Sequence, residues 1–377
     1  MKPILKKHLS HLLSLKSRRI LSLIGISFFL LSFSCEKDFA PVKVQKPVKN
    51  PREYTWTVDT LEYPGSNLTW MTSIWGSSNK DVYAVGLNST NKGTMYHYNG
   101  TNWTPVPLTT SLGGNLIGSF DLSDVYGFSK TDIWAAGNWN VQNPTPPPNF
   151  LHPSLLIHYN GSEWEEINTP EGLVLENIWG ASPDNVWFVG INGTLYHWDG
   201  NTITKDSIPF NIPKDAAPVY NLDVTGNSGG QAYFLLTARP QSGDSYYEIY
   251  YLFKKELNTW QLLDSTYVYL DHVWMGPCGT QYVFGSGVYT YNNQSFDLLF
   301  YENFHVLDLY GISEKNLFAV GSSSKAYHYN GTDWFQLKYL EISDLLFYTG
   351  VWTDGRELFI SGPTRSYPRK TIMFHGK

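Results

Sequence analysis

From Met71 to Trp103 the chain reads MTSIWGSSNKDVYAVGLNSTNKGTMYHYNGTNW, with apolar and polar positions alternating in four short runs. The first run ends in Trp75-Gly76, a polar turn follows, and a second run, DVYAVG, closes on Gly86. A third, TMYHYN, meets an Asn-Gly pair before a fourth that begins at Trp103. Alternation with period two, punctuated by Gly and Asn, predicts half-buried strands. Asn-Gly between two such runs predicts a tight hairpin, because both residues tolerate positive φ. The stretch therefore predicts four short antiparallel strands.

The same pattern returns down the chain. The strand-ending aromatic recurs as Trp75, Tyr126, Trp179, Trp274, Tyr310 and Trp352, with Thr225 at the matching place in a degenerate copy, which makes seven copies. Eleven residues after the aromatic, five copies carry Gly86, Gly137, Gly190, Gly285 and Gly321, the last copy has Gly362 at ten, and Leu236 holds the place in the degenerate one. YHYNG, IHYNG, YHWDG and YHYNG repeat the third strand and its turn at Tyr96, Ile157, Tyr196 and Tyr327. Fourth strands are marked by Trp103, Trp164, Ile203, Trp260, Phe296 and Trp334. The seventh copy has no fourth strand, and YTWTVD from Tyr54 to Asp59 supplies one, with Trp56 in the vacant place. Repeats of about 35 to 53 residues, four strands each, predict an all-β fold: a seven-bladed β-propeller of four-stranded antiparallel blades, closed by the N-terminal strand completing the last blade.

The motif resembles a broad set of secreted bacterial propellers whose blades read WGxxxxDVxxVG and then HYNGxxW, akin to kelch and tectonin-like repeats. The resemblance covers Tyr54 to Lys377 and implies a fold, since propellers host binding, scaffolding and catalysis alike. The sialidase-type Asp box is similar only in its final turn. No copy has its Ser and Asp, so no catalytic residues carry over.

Ahead of the repeats, residues 1–34 hold six Lys and Arg, no acidic residue, and the apolar run ILSLIGISFFLLSF, followed by Cys35. A basic start, a run short for a membrane span and a small residue before the break are parts of an export signal. The LSFSC box resembles a lipoprotein signal, which implies cleavage after Ser34 and acylation of Cys35, palmitate included. Residues 35–53 hold three prolines between Phe39 and Arg52 and read as a lipidated, extended tether. Residues 54–377 are the propeller. The expected address is the cell envelope, lipid-anchored, at the outer membrane and exposed at the surface. Two cysteines exclude a disulfide-dense framework, so stability must come from packing. Loss of the signal takes the formal charge from −6 to −12, which argues against nucleic acid as a partner.

Three groups of residues invite a chemical reading. His97, His158, His197 and His328 recur in third strands, where blade separation disfavours a shared metal and each ring is expected to bond within its own blade. Two residues before the aromatic stands a polar register, Ser73, Asp124, Asn177, Asp223, His272 and Asp308, with Gly350 in the seventh copy. A ring of blades brings these to the central axis, either as a girdle for a cation or, preferentially, as bonds that lock neighbouring blades. Two insertions fall on the rim shared by the connections from second to third strand and from fourth to next first strand. Gly137 to Ser154 carries Trp139 and Phe150, and Thr237 to Glu248 carries Arg239, Asp244, Tyr246 and Tyr247. Long loops with Trp, Tyr, Arg and Asp are where ligand contacts concentrate. No nucleophile elbow, Walker loop or HExxH helix is present, and no cofactor is expected. The expectation is a monomeric, non-enzymatic binding or scaffold module for a protein or glycan ligand, the alternative being a glycosidase or lyase using carboxylates on the rim.

Overall fold

The computed structural model describes residues 49–90, 92–108, 119–209, 221–239, 241–242, 245–340 and 342–377. The expected signal, Cys35 and most of the tether lie outside the described residues, as does Asp244. Seven four-stranded antiparallel sheets follow one another in chain order. Their first strands are Thr69–Ser78, Ser119–Ser129, Leu175–Ser182, Asn221–Gly226, Leu270–Met275, Val306–Ser313 and Gly350–Thr353. Each packs against the next, and the seventh packs against the first, so the blades close a ring.

Closure uses the strand Trp56–Leu61, which pairs with Thr371–Gly376 in register from Trp56↔Gly376 to Leu61↔Thr371. The strand starts two residues later than the expected Tyr54. Tyr54 is buried beside Leu340, Tyr348 and Phe374 instead, which spends its ring on the core between blades 6 and 7. Just before it, Arg52 pins the chain to blade 6. Its guanidinium bonds the Asp333 carboxylate at 3.1 Å and the Asp333 carbonyl at 2.9 Å, and it lies 5.0 Å over the Phe335 ring.

The Trp-Gly pair is an inter-blade joint. A Cβ on Gly127 would stand 2.6 Å from the Trp75 ring of the preceding blade, and one on Gly226 would stand 2.4 Å from Trp179. Trp352 of blade 7 lies in the same way over Gly76 of blade 1. At these three joints the aromatic tucks over the glycine of its neighbour and seals the ring where a side chain would push the blades apart, while Tyr126 instead donates its hydroxyl to the Gly180 carbonyl of the next blade at 2.8 Å.

The Gly that ends the second strand has a different cause. In blades 1, 2, 3, 5 and 6 the first strand carries an extra residue near its start, at Thr72, Ser123, Glu176, Asp271 and Leu307. Such a bulge bends the strand towards its partner. A Cβ on Gly190 would then meet the Val174 carbonyl oxygen at 1.8 Å. Blade 4 pairs without a bulge, and there Leu236 stands in place of the glycine. The degenerate copy is therefore self-consistent: without the bulge, a side chain fits.

Candidate binding face

Four of the five bulge residues, Thr72, Ser123, Glu176 and Leu307, line the channel that the ring encloses, a cavity of about 1200 Å³. Its wall includes all six residues of the expected polar register, Ser73, Asp124, Asn177, Asp223, His272 and Asp308. Three of them are clamps. Asp124 accepts from its neighbour Val125 N at 2.9 Å and, across the blade boundary, from Ile178 N at 2.8 Å. Asp223 does the same with Val224 N at 2.8 Å and Val273 N at 2.9 Å. Asp308 repeats it with Leu309 N at 2.8 Å and Val351 N at 2.7 Å. Ser73 donates to Asp124 at 2.6 Å, joining blade 1 to blade 2, and the Thr349 hydroxyl donates to the Met71 carbonyl at 2.7 Å, joining 7 to 1.

Burial raises the Asp124 carboxyl to about 6 against the hydrogen bonds it accepts, and raises Asp308 to about 7. On His272, burial opposes the charge, but the Asp223 carboxylate bonded to it, with Asp271 and Asp308 nearby, outweighs that and lifts the ring to about 9. Among the described residues no three His, Cys, Asp or Glu converge to hold a metal ion.

The bulge ring was not legible from the repeat. Its member Glu176 projects into the channel with Oε2 buried and no hydrogen-bond donor against it. Burial raises this carboxyl to about 7, with Asp223 adding and His272 opposing.

The repeated histidines bond inside their own blades, to the residue that opens the second strand. His97 meets Asp81 at 2.6 Å, His158 meets Asp132 at 2.7 Å, His197 meets Asn185 at 2.8 Å and His328 meets Asn316 at 3.0 Å. Each ring also lies on the second-strand aromatic, as His97 does on Tyr83 at 4.4 Å and His197 on Trp187 at 4.1 Å. A fifth copy, His375 with Glu357 at 2.5 Å and Phe359 at 4.2 Å, completes the set in blade 7.

On the rim, the two insertions are more ordered than loops. That of blade 2 prolongs the second strand to Asp132–Gln142, and Phe150–Leu151 pairs back on Val141 and Gln142. Trp139 therefore sits in a strand, packed edge-on against Phe120 and donating to Glu166 at 3.1 Å, whereas Phe150 is exposed. In blade 4 the strands Gln241–Ser242 and Ser245–Tyr246 form a small hairpin, and Arg239 is held by Glu248 at 2.6 Å. Tyr247 is exposed, 6.1 Å from Tyr267. Trp139 and Phe150 belong to blade 2 and the others to blade 4, with blade 3 between them.

What stands beside Tyr247 is instead the short connection into blade 5. Tyr267 is 72% exposed and Tyr269 44%. Tyr269 packs 5.9 Å from Tyr250 and 5.0 Å from His305, which bonds Asp271 at 2.7 Å and lines the mouth of the channel. The exposed aromatic surface thus runs from the blade 4 insertion to the channel mouth.

No protein-family model matches the chain and no curated protein matches it by sequence. Solved structures do. YCF48 bound to a D1 peptide is similar with a TM-score of 0.57 and 15% identity, over 87% of this chain and 97% of that one. YCF48 from Cyanidioschyzon merolae gives 0.56 and 12%, over 84% and 98%. Raptor from Chaetomium thermophilum gives 0.53 and 10%, over 86% of this chain and 29% of that one. At these identities the likeness is one of fold.

Proposed function

We propose that this propeller is a non-enzymatic binding or scaffold module that takes a protein partner on the rim of blades 4 and 5 and is held at the cell envelope by lipid on Cys35. The observation that carries the binding role is the exposed run Tyr247, Tyr267 and Tyr269, continuous with the channel mouth through His305. Aromatics that anchor interfaces offer large area at low entropic cost, and much of the area of these rings is left exposed here. The similar YCF48 solved with a D1 peptide supports protein rather than sugar as the ligand class. Against hydrolysis stand the carboxylates of that rim, Glu248 and Asp271, each already engaged by Arg239 or His305. The anchor rests on the LSFSC box and the basic, apolar segment before it.

A photo-crosslinking residue at Tyr267, compared with one at Lys130 on the opposite rim, tests the binding face in cells. A discrete protein adduct at Tyr267 alone is the expected result. Adducts at neither position, with the protein retarded in gels by a polysaccharide, would move the assignment to a glycan. Incorporation of labelled palmitate that persists in Cys35→Ser would overturn the assignment of the lipid to Cys35.

A further inference from the structure

Lys and Arg are unevenly spread along this chain. From Tyr54 to Lys377 there are 16 of them against 30 Asp and Glu, and two long stretches, 131–204 and 256–314, contain none at all. Those stretches form most of blades 2 and 3 and all of blade 5. The basic residues gather after Glu314, including Arg365, Arg369 and Lys370 in blade 7. The charge of the ring is therefore polarised, acidic in blades 2, 3 and 5, whereas blade 4 mixes cations with its acids.

The exposed tyrosines stand where blade 4 gives way to the acidic blade 5. Blade 4 does hold cations, but they are engaged: Arg239 by Glu248, Lys254 by Glu256 and Lys255 by Asp206. At the end of blade 3, Lys205 donates to the Glu171 carbonyl. His272, already bonded to Asp223, is the cation whose charge reaches Glu176, and no hydrogen-bond donor meets the buried Oε2 of this side chain, which lines the channel. A guanidinium or ammonium finds two things on this face that it binds well. Tyrosine rings present their negative π faces, and a carboxylate shielded from water interacts more strongly than one in bulk solvent.

Resting on the protein-binding reading above, we propose that the partner segment is basic and extended, lying across Tyr267 and Tyr269 and directing a Lys or Arg side chain into the channel mouth towards Glu176. The charge asymmetry of the blades, the aromatic track and the Glu176 oxygen without a donor converge on a cationic strand or linker. An acidic peptide would meet repulsion along the same path.

The test uses the full chain in detergent and three fluorescein-labelled peptides, each of three repeats: Ser-Arg-Gly, Ser-Gln-Gly and Ser-Glu-Gly. Fluorescence anisotropy at low salt should show the arginine peptide binding about tenfold more tightly than the glutamine one, with the preference shrinking as salt rises. Tyr267→Ser and Glu176→Gln should each weaken it about fivefold. Tyr339→Ser, which alters an equally exposed ring on blade 6, should leave it unchanged. Equal binding of the three peptides, or identical affinities for the wild type and both variants, overturns the proposal. If no peptide binds while Tyr267 still crosslinks to a protein, the cationic assignment falls and the binding face stands. If neither is seen and a polysaccharide retards the chain, both fall.

Discussion

Asp223→Asn is the sharpest test of how the ring is held. The substitution keeps the shape of the side chain and removes its charge. In the wild type, one oxygen accepts from Val224 N and the other from Val273 N of the next blade, with His272 at 3.3 Å. Asparagine offers one acceptor oxygen, and its NH2 would face an N–H or the imidazolium. The loss is one charge-assisted hydrogen bond, about 1.5 to 3 kcal/mol, plus part of the ion pair with His272. Because the His272 side chain is 28% exposed, screening reduces that second contribution to about 1 kcal/mol or less. We therefore predict destabilisation of about 2 to 4 kcal/mol, a fall in Tm of roughly 3 to 6 °C for a domain of this size. Denaturant unfolding measures the energy. NMR titration of the His272 ring provides an independent readout, expected to fall from about 9 towards its ordinary 6.5. A loss below about 0.5 kcal/mol, within what a surface substitution costs, together with an unmoved His272, would refute the clamp.

Other predictions follow from the same contacts. Stability should fall as pH rises from about 7 to 9, because the advantage of protonated His272 is complete below its ordinary pKa and is lost as pH climbs through about 9. Asp308 and Glu176, both raised to about 7, favour the folded state increasingly as pH drops from 7 towards 4. Over that lower range His328, held down to about 4 by burial and Arg52, acts in the opposite sense, so a Tm that rises between pH 7 and 9 is the result that would refute the assignment. Gly127→Ala should cost about 1 to 3 kcal/mol by driving a methyl group into the Trp75 ring, measurable by thermal melting. Deleting Tyr54 to Leu61 should abolish the single cooperative melt, since it removes the strand paired with Thr371–Gly376; an unchanged transition would show that the ring does not need it.

Much of this architecture is legible in the residues. Gly after Trp, Gly after Val and Asn-Gly after the third strand each mark a backbone contact or turn that a side chain would block, so the blades can be counted. The closing strand is also visible, though Tyr54 was misplaced because its ring is an inter-blade core residue rather than the start of pairing. Glu176 escaped for a physical reason. A bulge inserts a residue into the strand, and an argument from strict alternation assigns that residue to the wrong side. Tyr267 and Tyr269 escaped because TYVYL has the alternation of a strand, whereas residues 267–269 form the connection between Thr259–Thr266 and Leu270–Met275 and leave both rings partly in water. The insertions drew attention by their length, yet Trp139 is occupied with Phe120 and Glu166. Excess length and unspent surface proved to be different signals.

The grip of Arg52 on blade 6 has a mechanical consequence. Any pull transmitted along the residues before it would otherwise arrive at Trp56 and peel the outermost strand from blade 7 one pair at a time, the weakest way to load a sheet. With its guanidinium fastened to both the side chain and the backbone of Asp333, and its face against Phe335, force is diverted into a neighbouring blade before it reaches the seam. Arg52 is then a strain relief, like the clamp where a cable enters its housing.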